Sequence, residues 1–229
     1  MKNVIQKIFN FILALIFPVE CLGCNEEDTY LCTDCLAKIK IYDQPPTFEH
    51  PLNHLNGIIY AADYHQKLLQ KTIHNFKFRF IQELAISLAK ILAGFWENYK
   101  AVQTHNCASL HIANTLIIPV PLNKKRLLER GFNQAELIAK IFAERFNYPL
   151  LTNIVIRSKN TPHQVGLNKK QRTNNIANAF QILDASTIQN CIIILIDDVV
   201  TTGSTMEEIA KILKENGALE VWGLTIAKD

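Results

Sequence analysis

The segment Ile192-Ile193-Ile194-Leu195-Ile196-Asp197-Asp198-Val199-Val200-Thr201-Thr202-Gly203-Ser204-Thr205 constrains this chain more than any other. An unbroken aliphatic run is the mark of a central strand covered on both faces. A helix follows, ending near Asn216 with Gly217 as its expected cap. The loop from Thr201 to Thr205 therefore enters a helix N-terminus, where backbone N–H groups, hydroxyls and the helix dipole converge on an anion. Asp197 and Asp198 stand one step earlier, placed to accept hydrogen bonds from vicinal hydroxyls. A phosphate cradle beside diol acceptors describes a site for a ribose 5-phosphate.

The rest of the chain repeats the alternation of strand and helix. Ile58 to Ala62, Thr115 to Val120, Leu151 to Ile156, Ala179 to Leu183 and Leu219 to Ala227 read as strands, and Gln82 to Trp96 and Asn133 to Phe146 carry apolar residues at helical spacing. This predicts an α/β fold, a parallel sheet flanked by helices with ligands beyond the carboxyl ends of the strands. Both aspartates fall at that edge. The polar stretch Arg157 to Asn178 has no defensible period and is expected to be a long mobile loop with a function. With 229 residues, 20% charged and 48% hydrophobic, the chain has material for a core and is neither a coiled coil nor disordered. A Walker A loop is absent.

Before this region, Cys21-x-x-Cys24 and Cys32-x-x-Cys35 put four thiolates within reach of one tetrahedral ion. With every position filled by sulfur, a structural Zn²⁺ is expected; disulfides are the alternative. Turn formers from Gln44 to Gly57 mark a boundary, giving an N-terminal unit over 1–55 and a main domain over 56–229. The apolar run Ile8 to Phe17 is too short to span a bilayer and lacks a cleavage site after it. It reads as a hydrophobic helix, and the protein as cytoplasmic, with peripheral contact at the inner membrane as the alternative. The net charge of +3 is too small to mark a nucleic-acid binder by itself.

Ile193 to Thr205 resembles the phosphoribosyl pyrophosphate (PRPP) signature of type I phosphoribosyltransferases. The resemblance implies that Asp197 and Asp198 hold the ribose hydroxyls and that Thr201, Thr202, Gly203, Ser204 and Thr205 hold the 5-phosphate. It implies a pyrophosphate loop at Val120 and Pro121, with the basic cluster Lys124, Lys125, Arg126 and Arg130 neutralising pyrophosphate alongside Mg²⁺. Arg157, Gln164 and Arg172 belong to the stretch that resembles the flexible loop closing over the site. Purine-salvage relatives carry a third Asp, a general base, where this chain has Thr201, which argues against a purine acceptor.

The cysteine pairs, Pro119-Val120-Pro121-Leu122, Arg130-Gly131-Phe132-Asn133-Gln134-Ala135, Gln164-x-x-Leu167 with Arg172 and Asn175, and the PRPP signature together resemble the ComF family over nearly the whole chain. That resemblance implies a role in natural transformation, with PRPP, single-stranded DNA and competence or DNA-uptake proteins as partners. It leaves open whether a reaction is catalysed, and a non-catalytic PRPP sensor is the third reading. Lys77-Phe78-Arg79-Phe80 mixes basic and aromatic residues as a single-strand surface would, but the favoured reading is the start of an amphipathic helix, with Lys77 able to reach pyrophosphate. Cys107 and Cys191 read as small core hydrophobes.

Overall fold

A computed structural model describes residues 18–44, 46–103, 114–158 and 179–229. The hydrophobic helix of Ile8 to Phe17, Cys107, and the loop residues Gln164 and Arg172 lie outside the described residues.

Four strands form one parallel sheet: β1 (Gly57–Asp63), β2 (Thr115–Pro119), β5 (Ile192–Val200) and β6 (Glu220–Lys228), in the order β1, β6, β5, β2. Leu150 extends it by a parallel bridge to Ile117. The expected strand at Leu151 to Ile156 is therefore split. Its first residue joins the sheet edge through the Leu151 N–H to Ile117 carbonyl bond, while β3 (Val155–Arg157) turns away to pair antiparallel with β4 (Phe180–Ile182).

The helices are α1 (Thr33–Ala37), α2 (Lys67–Phe78), α3 (Leu84–Gln103), α4 (Lys124–Arg130), α5 (Gln134–Phe146) and α6 (Ser204–Glu215). Side chains alternate along a strand, and β5 shows what this does. Ile194 and Ile196 join the core formed with α2, α3 and α5, whereas Ile193 and Leu195 join a second core under α6 and the β3–β4 pair. The same alternation sends Asp198 toward the α2 side.

α2 corrects the reading of Lys77 to Phe80 as a helix start. Leu69, Ile73 and Phe76 form its fully buried stripe, Arg79 is its C-cap and Phe80 leaves with φ +59°. Two polar residues on the buried side, Thr72 and Asn75, donate to the carbonyls of Leu68 and Lys71 at 2.8 and 2.7 Å, so their burial leaves those groups satisfied. That polar content hid the helix from a search for apolar periodicity.

The cysteine segment packs on the same helix. Cys21, Leu31, Cys32, Cys35 and Ile39 share a core with Leu69, Ile73 and Phe76, and Lys71 donates to the Leu22 carbonyl at 2.6 Å. Cys191 is half-buried rather than a core residue, because it precedes β5 next to the exposed Gln189–Asn190 turn.

Candidate functional site

A cavity of about 460 Å³ opens at the carboxyl ends of β2 and β5. Its wall brings together Asp197, Asp198, Thr201 to Thr205, Val120, Pro121, Lys125, Arg126, Arg130, Arg157 and Lys77, residues contributed by α2, α4, β3, β5, α6 and the loops after β2 and β5. Lys124 is absent from that wall. It occupies the exposed outer face of α4, the solvated position its helix register dictates.

On the α6 side, the N-cap is Gly203, which lays no side chain of its own over the first N–H groups of this twelve-residue helix at the cavity wall; the Thr202 hydroxyl accepts from the Ser204 N–H at 3.5 Å. Gly203 has φ +73°, and a Cβ there would stand 2.7 Å from Ile58 Cδ1 and 3.2 Å from the Phe48 ring. Only glycine lets the loop lie this low over β1. The Thr202 and Ser204 hydroxyls are 2.8 Å apart, so one donates to the other and the second keeps its proton for a further acceptor at the loop. Below it, the Glu207 carboxylate accepts from the backbone N–H groups of Asn53, His54 and Leu55 at 2.7 to 3.2 Å, and its Oε1 stands 2.9 Å from His54 Nδ1. The linker is thus fastened to the first turn of α6.

The aspartates sit within β5, not beyond its end as the aliphatic run alone suggested. Asp198 is buried and pairs with Lys77 Nζ at 2.8 Å. Asp197 Oδ1 accepts the Asp198 N–H at 2.8 Å. Desolvation, with the like charge of Asp198 adding to it, pushes the Asp197 carboxyl up to about 7 against the pull of Lys77, its backbone bond and Arg130.

Opposite stands the basic wall. Asn123 caps α4 by accepting the Lys125 N–H at 2.8 Å, and Arg130 closes the helix beside Gly131 at φ +77°. Burial lowers the pKa of Arg130 and of Arg157, and Arg126 lowers that of Arg157 further as a neighbouring like charge. The Arg130 guanidinium lies 5.4 Å over the Phe78 ring, and that of Arg157 lies 5.5 Å over Phe180. These ring faces hold both cations at the cavity wall.

Sequence reasoning gave no role to Gln134 or Asn133. Gln134 is 2% exposed, accepts from Arg130 at 2.8 Å and leaves its buried Nε2 without a hydrogen-bond partner at the cavity wall. Asn133 caps α5 through the Ala135 N–H and donates to the Val120 carbonyl at 3.1 Å, tying the loop after β2 to the helix. Arg130 ends α4 and Gln134 begins α5, so no helical periodicity announces their contact; the available signal was their place in the Arg130-Gly131-Phe132-Asn133-Gln134-Ala135 run.

The four N-terminal sulfurs form a separate cluster. All lie within 4.8 Å of one another, and Cys24 and Cys32 sulfurs are 3.6 Å apart, far beyond disulfide length. Zn–S bonds of about 2.3 Å in a tetrahedron put sulfurs about 3.8 Å apart, so the set fits a metal ion. Backbone N–H groups of Cys32 and Cys35 point at the Cys21 and Cys32 sulfurs at 3.4 Å, the support thiolates require.

The family model for the phosphoribosyl transferase domain matches residues 128–227. Competence protein F of Haemophilus influenzae is 33% identical over 217 residues, 92% of this chain and 86% of that protein. The chain belongs to the ComF family of competence proteins. DNA utilization protein YhgH of Escherichia coli is 29% identical over 214 residues, 89% of this chain and 87% of that protein. Competence protein ComFC of Bacillus subtilis is 31% identical over 152 residues, 66% of this chain and 55% of that protein. This ComF chain has the type I phosphoribosyltransferase fold, with its four-cysteine cluster near the N-terminus. Among the described residues, no helix is long and apolar enough to cross a membrane.

Proposed function

We propose that this ComF protein binds PRPP in the β2–β5 cavity and works in natural transformation, acting with single-stranded DNA or the uptake machinery on the cytoplasmic side. The observation that supports this most is the division of one cavity into a glycine-capped helix N-terminus, a carboxylate pair and a wall of arginines. The 5-phosphate lies on Thr201 to Thr205, the ribose hydroxyls on Asp197 and Asp198, and the pyrophosphate against Val120, Pro121, Lys125, Arg126, Arg130 and Arg157. Carboxylates beside phosphates suit Mg²⁺, with Asp197 the carboxylate not engaged by Lys77; the ion would neutralise the pyrophosphate. Zn²⁺ in the cysteine cluster is structural. The cysteine unit, 1–55, and the main domain, 56–229, act as one body through α2.

The test is thermal denaturation with PRPP and Mg²⁺. Saturable stabilisation by PRPP that exceeds the shift given by pyrophosphate alone at equal concentration supports the reading; no shift at millimolar PRPP overturns it. Fluorescence anisotropy with a labelled single strand tests the DNA role, expecting steeply salt-dependent affinity. No binding at low salt removes direct DNA contact.

Turnover is the second reading, favoured by the single cavity that sets Asp197 and the Thr201 to Thr205 loop opposite Arg126, Arg130 and Arg157, a basic wall on which a leaving pyrophosphate would be neutralised. Acceptor-dependent pyrophosphate release that Asp197→Asn abolishes would establish it, and screening that never exceeds the water background would leave PRPP as a bound signal.

A further inference from the structure

We infer that Lys77 is a positioning residue for the sugar end of the cavity, fixing the Asp198 carboxylate where it receives the hydroxyls of a ribose phosphate and supplying a built-in positive charge there. The inference rests on the ribose phosphate reading above and names a component that reading does not require.

Lysine side chains normally keep their ammonium in water. Here the Lys77 side chain is 22% exposed and that of Asp198 8%, with Nζ 2.8 Å from Oδ1. The backbone carrying Lys77 is anchored. Its neighbour Phe76 is fully buried and packs at 5.6 Å on Phe132, the central residue of the Arg-Gly-Phe-Asn-Gln turn. Gly131, at φ +77°, makes that turn, and Asn133 fastens it to Val120. The helix ends at Phe78, one residue after Lys77, with Arg79 as C-cap and Phe80 in the left-handed region, and a cation is favoured in such a last turn. Each of these features fixes the ammonium at the sugar end of the cavity.

The two carboxylates consequently have different partners. Asp198 faces α2 and takes the lysine, whereas Asp197 bonds to the strand backbone. A ligand rich in phosphate meets two adjacent carboxylates at this end, and Lys77 offsets one of them. Removing one partner of a buried pair leaves an uncompensated charge, the costly case. The lysine is paired with Asp198 on β5, whereas Lys125, Arg126 and Arg157, assigned to pyrophosphate, are carried by α4 and β3, so the two roles can be tested separately.

The experiment is a calorimetric titration of ribose 5-phosphate, which lacks pyrophosphate, into the full zinc-loaded chain in magnesium-free buffer, for wild type, Lys77→Arg and Lys77→Met. Wild type binds, Lys77→Arg retains most of the affinity, and Lys77→Met loses about tenfold or more, as expected for a charge-assisted contact. Inorganic phosphate, which needs only the Thr201 to Thr205 loop, binds all three equally; this reports the fold of the loop in the variant. Equal or tighter ribose 5-phosphate binding by Lys77→Met would overturn the inference, since the lysine would then compete with the sugar. Parallel loss of inorganic phosphate would overturn it too, by making the effect global. If wild type binds neither ribose 5-phosphate nor PRPP, the ribose phosphate reading itself fails, a result distinct from the other two.

Discussion

Asp197 shows how one side chain reports its surroundings. Its carboxyl titrates near 7 in the folded chain against an ordinary 3.8. A raised pKa means the folded state holds the proton more tightly than the unfolded chain does. Stability from this group is complete below about 4 and is lost as pH climbs through about 7. Asp197→Asn removes the titration. Without ligand, the melting temperature of the variant relative to wild type is expected to rise across that window and level off above it; a constant difference from pH 4 to 8 would contradict the assignment. Asp198, Lys77 and Arg130 face this group and set its environment. Gly203 makes a second residue-scale prediction. Gly203→Ala places a Cβ against Ile58 and Phe48 at positive φ, and should cost about 1–3 kcal/mol in denaturant unfolding along with loss of inorganic phosphate binding. Wild-type affinity in that variant would refute the cradle.

Among the elements, α6 and the linker beneath it form one unit. Glu207 collects three consecutive backbone N–H groups of the linker. Glu207→Ala is expected to destabilise by about 1–3 kcal/mol and to weaken phosphate binding through the loosened first turn. Unchanged stability would show that the linker is held elsewhere. The element-scale account was unevenly legible in the sequence. β5 and α6 were readable because aliphatic run, acidic pair and glycine lie consecutively, so local pattern and tertiary role coincide. α2 was not, since its buried stripe is interrupted by Thr72 and Asn75, whose hydrogen bonds to the preceding turn are invisible until the helix exists. The same holds for the pairing of Lys77 with Asp198, which joins residues from distant parts of the chain. Gln134 was visible as a letter in a motif, yet only the folded structure reveals its buried Nε2 without a hydrogen-bond partner.

For the whole molecule, α2 joins the cysteine cluster to the cavity. One end carries Lys71 against Leu22 and the other carries Lys77 against Asp198, with a continuous core between them. Stripping the metal should therefore loosen more than the loop that binds it. Hydrogen exchange is expected to rise over residues 18–44 and along α2 after metal removal, with a lower melting temperature. Faster exchange confined to the cysteine segment would mean that the two ends are uncoupled.

The central claim is that one cavity holds a ribose 5-phosphate group by the carboxylate pair and the phosphate loop. Calorimetric titration of PRPP with Mg²⁺ into the metal-loaded chain, beside the Asp197→Asn, Asp198→Asn double variant checked for folding by circular dichroism, tests it most directly. Saturable one-to-one binding by wild type, lost in the folded double variant, is the predicted result. Equal affinity in the two, or no binding by a folded wild type, would contradict it.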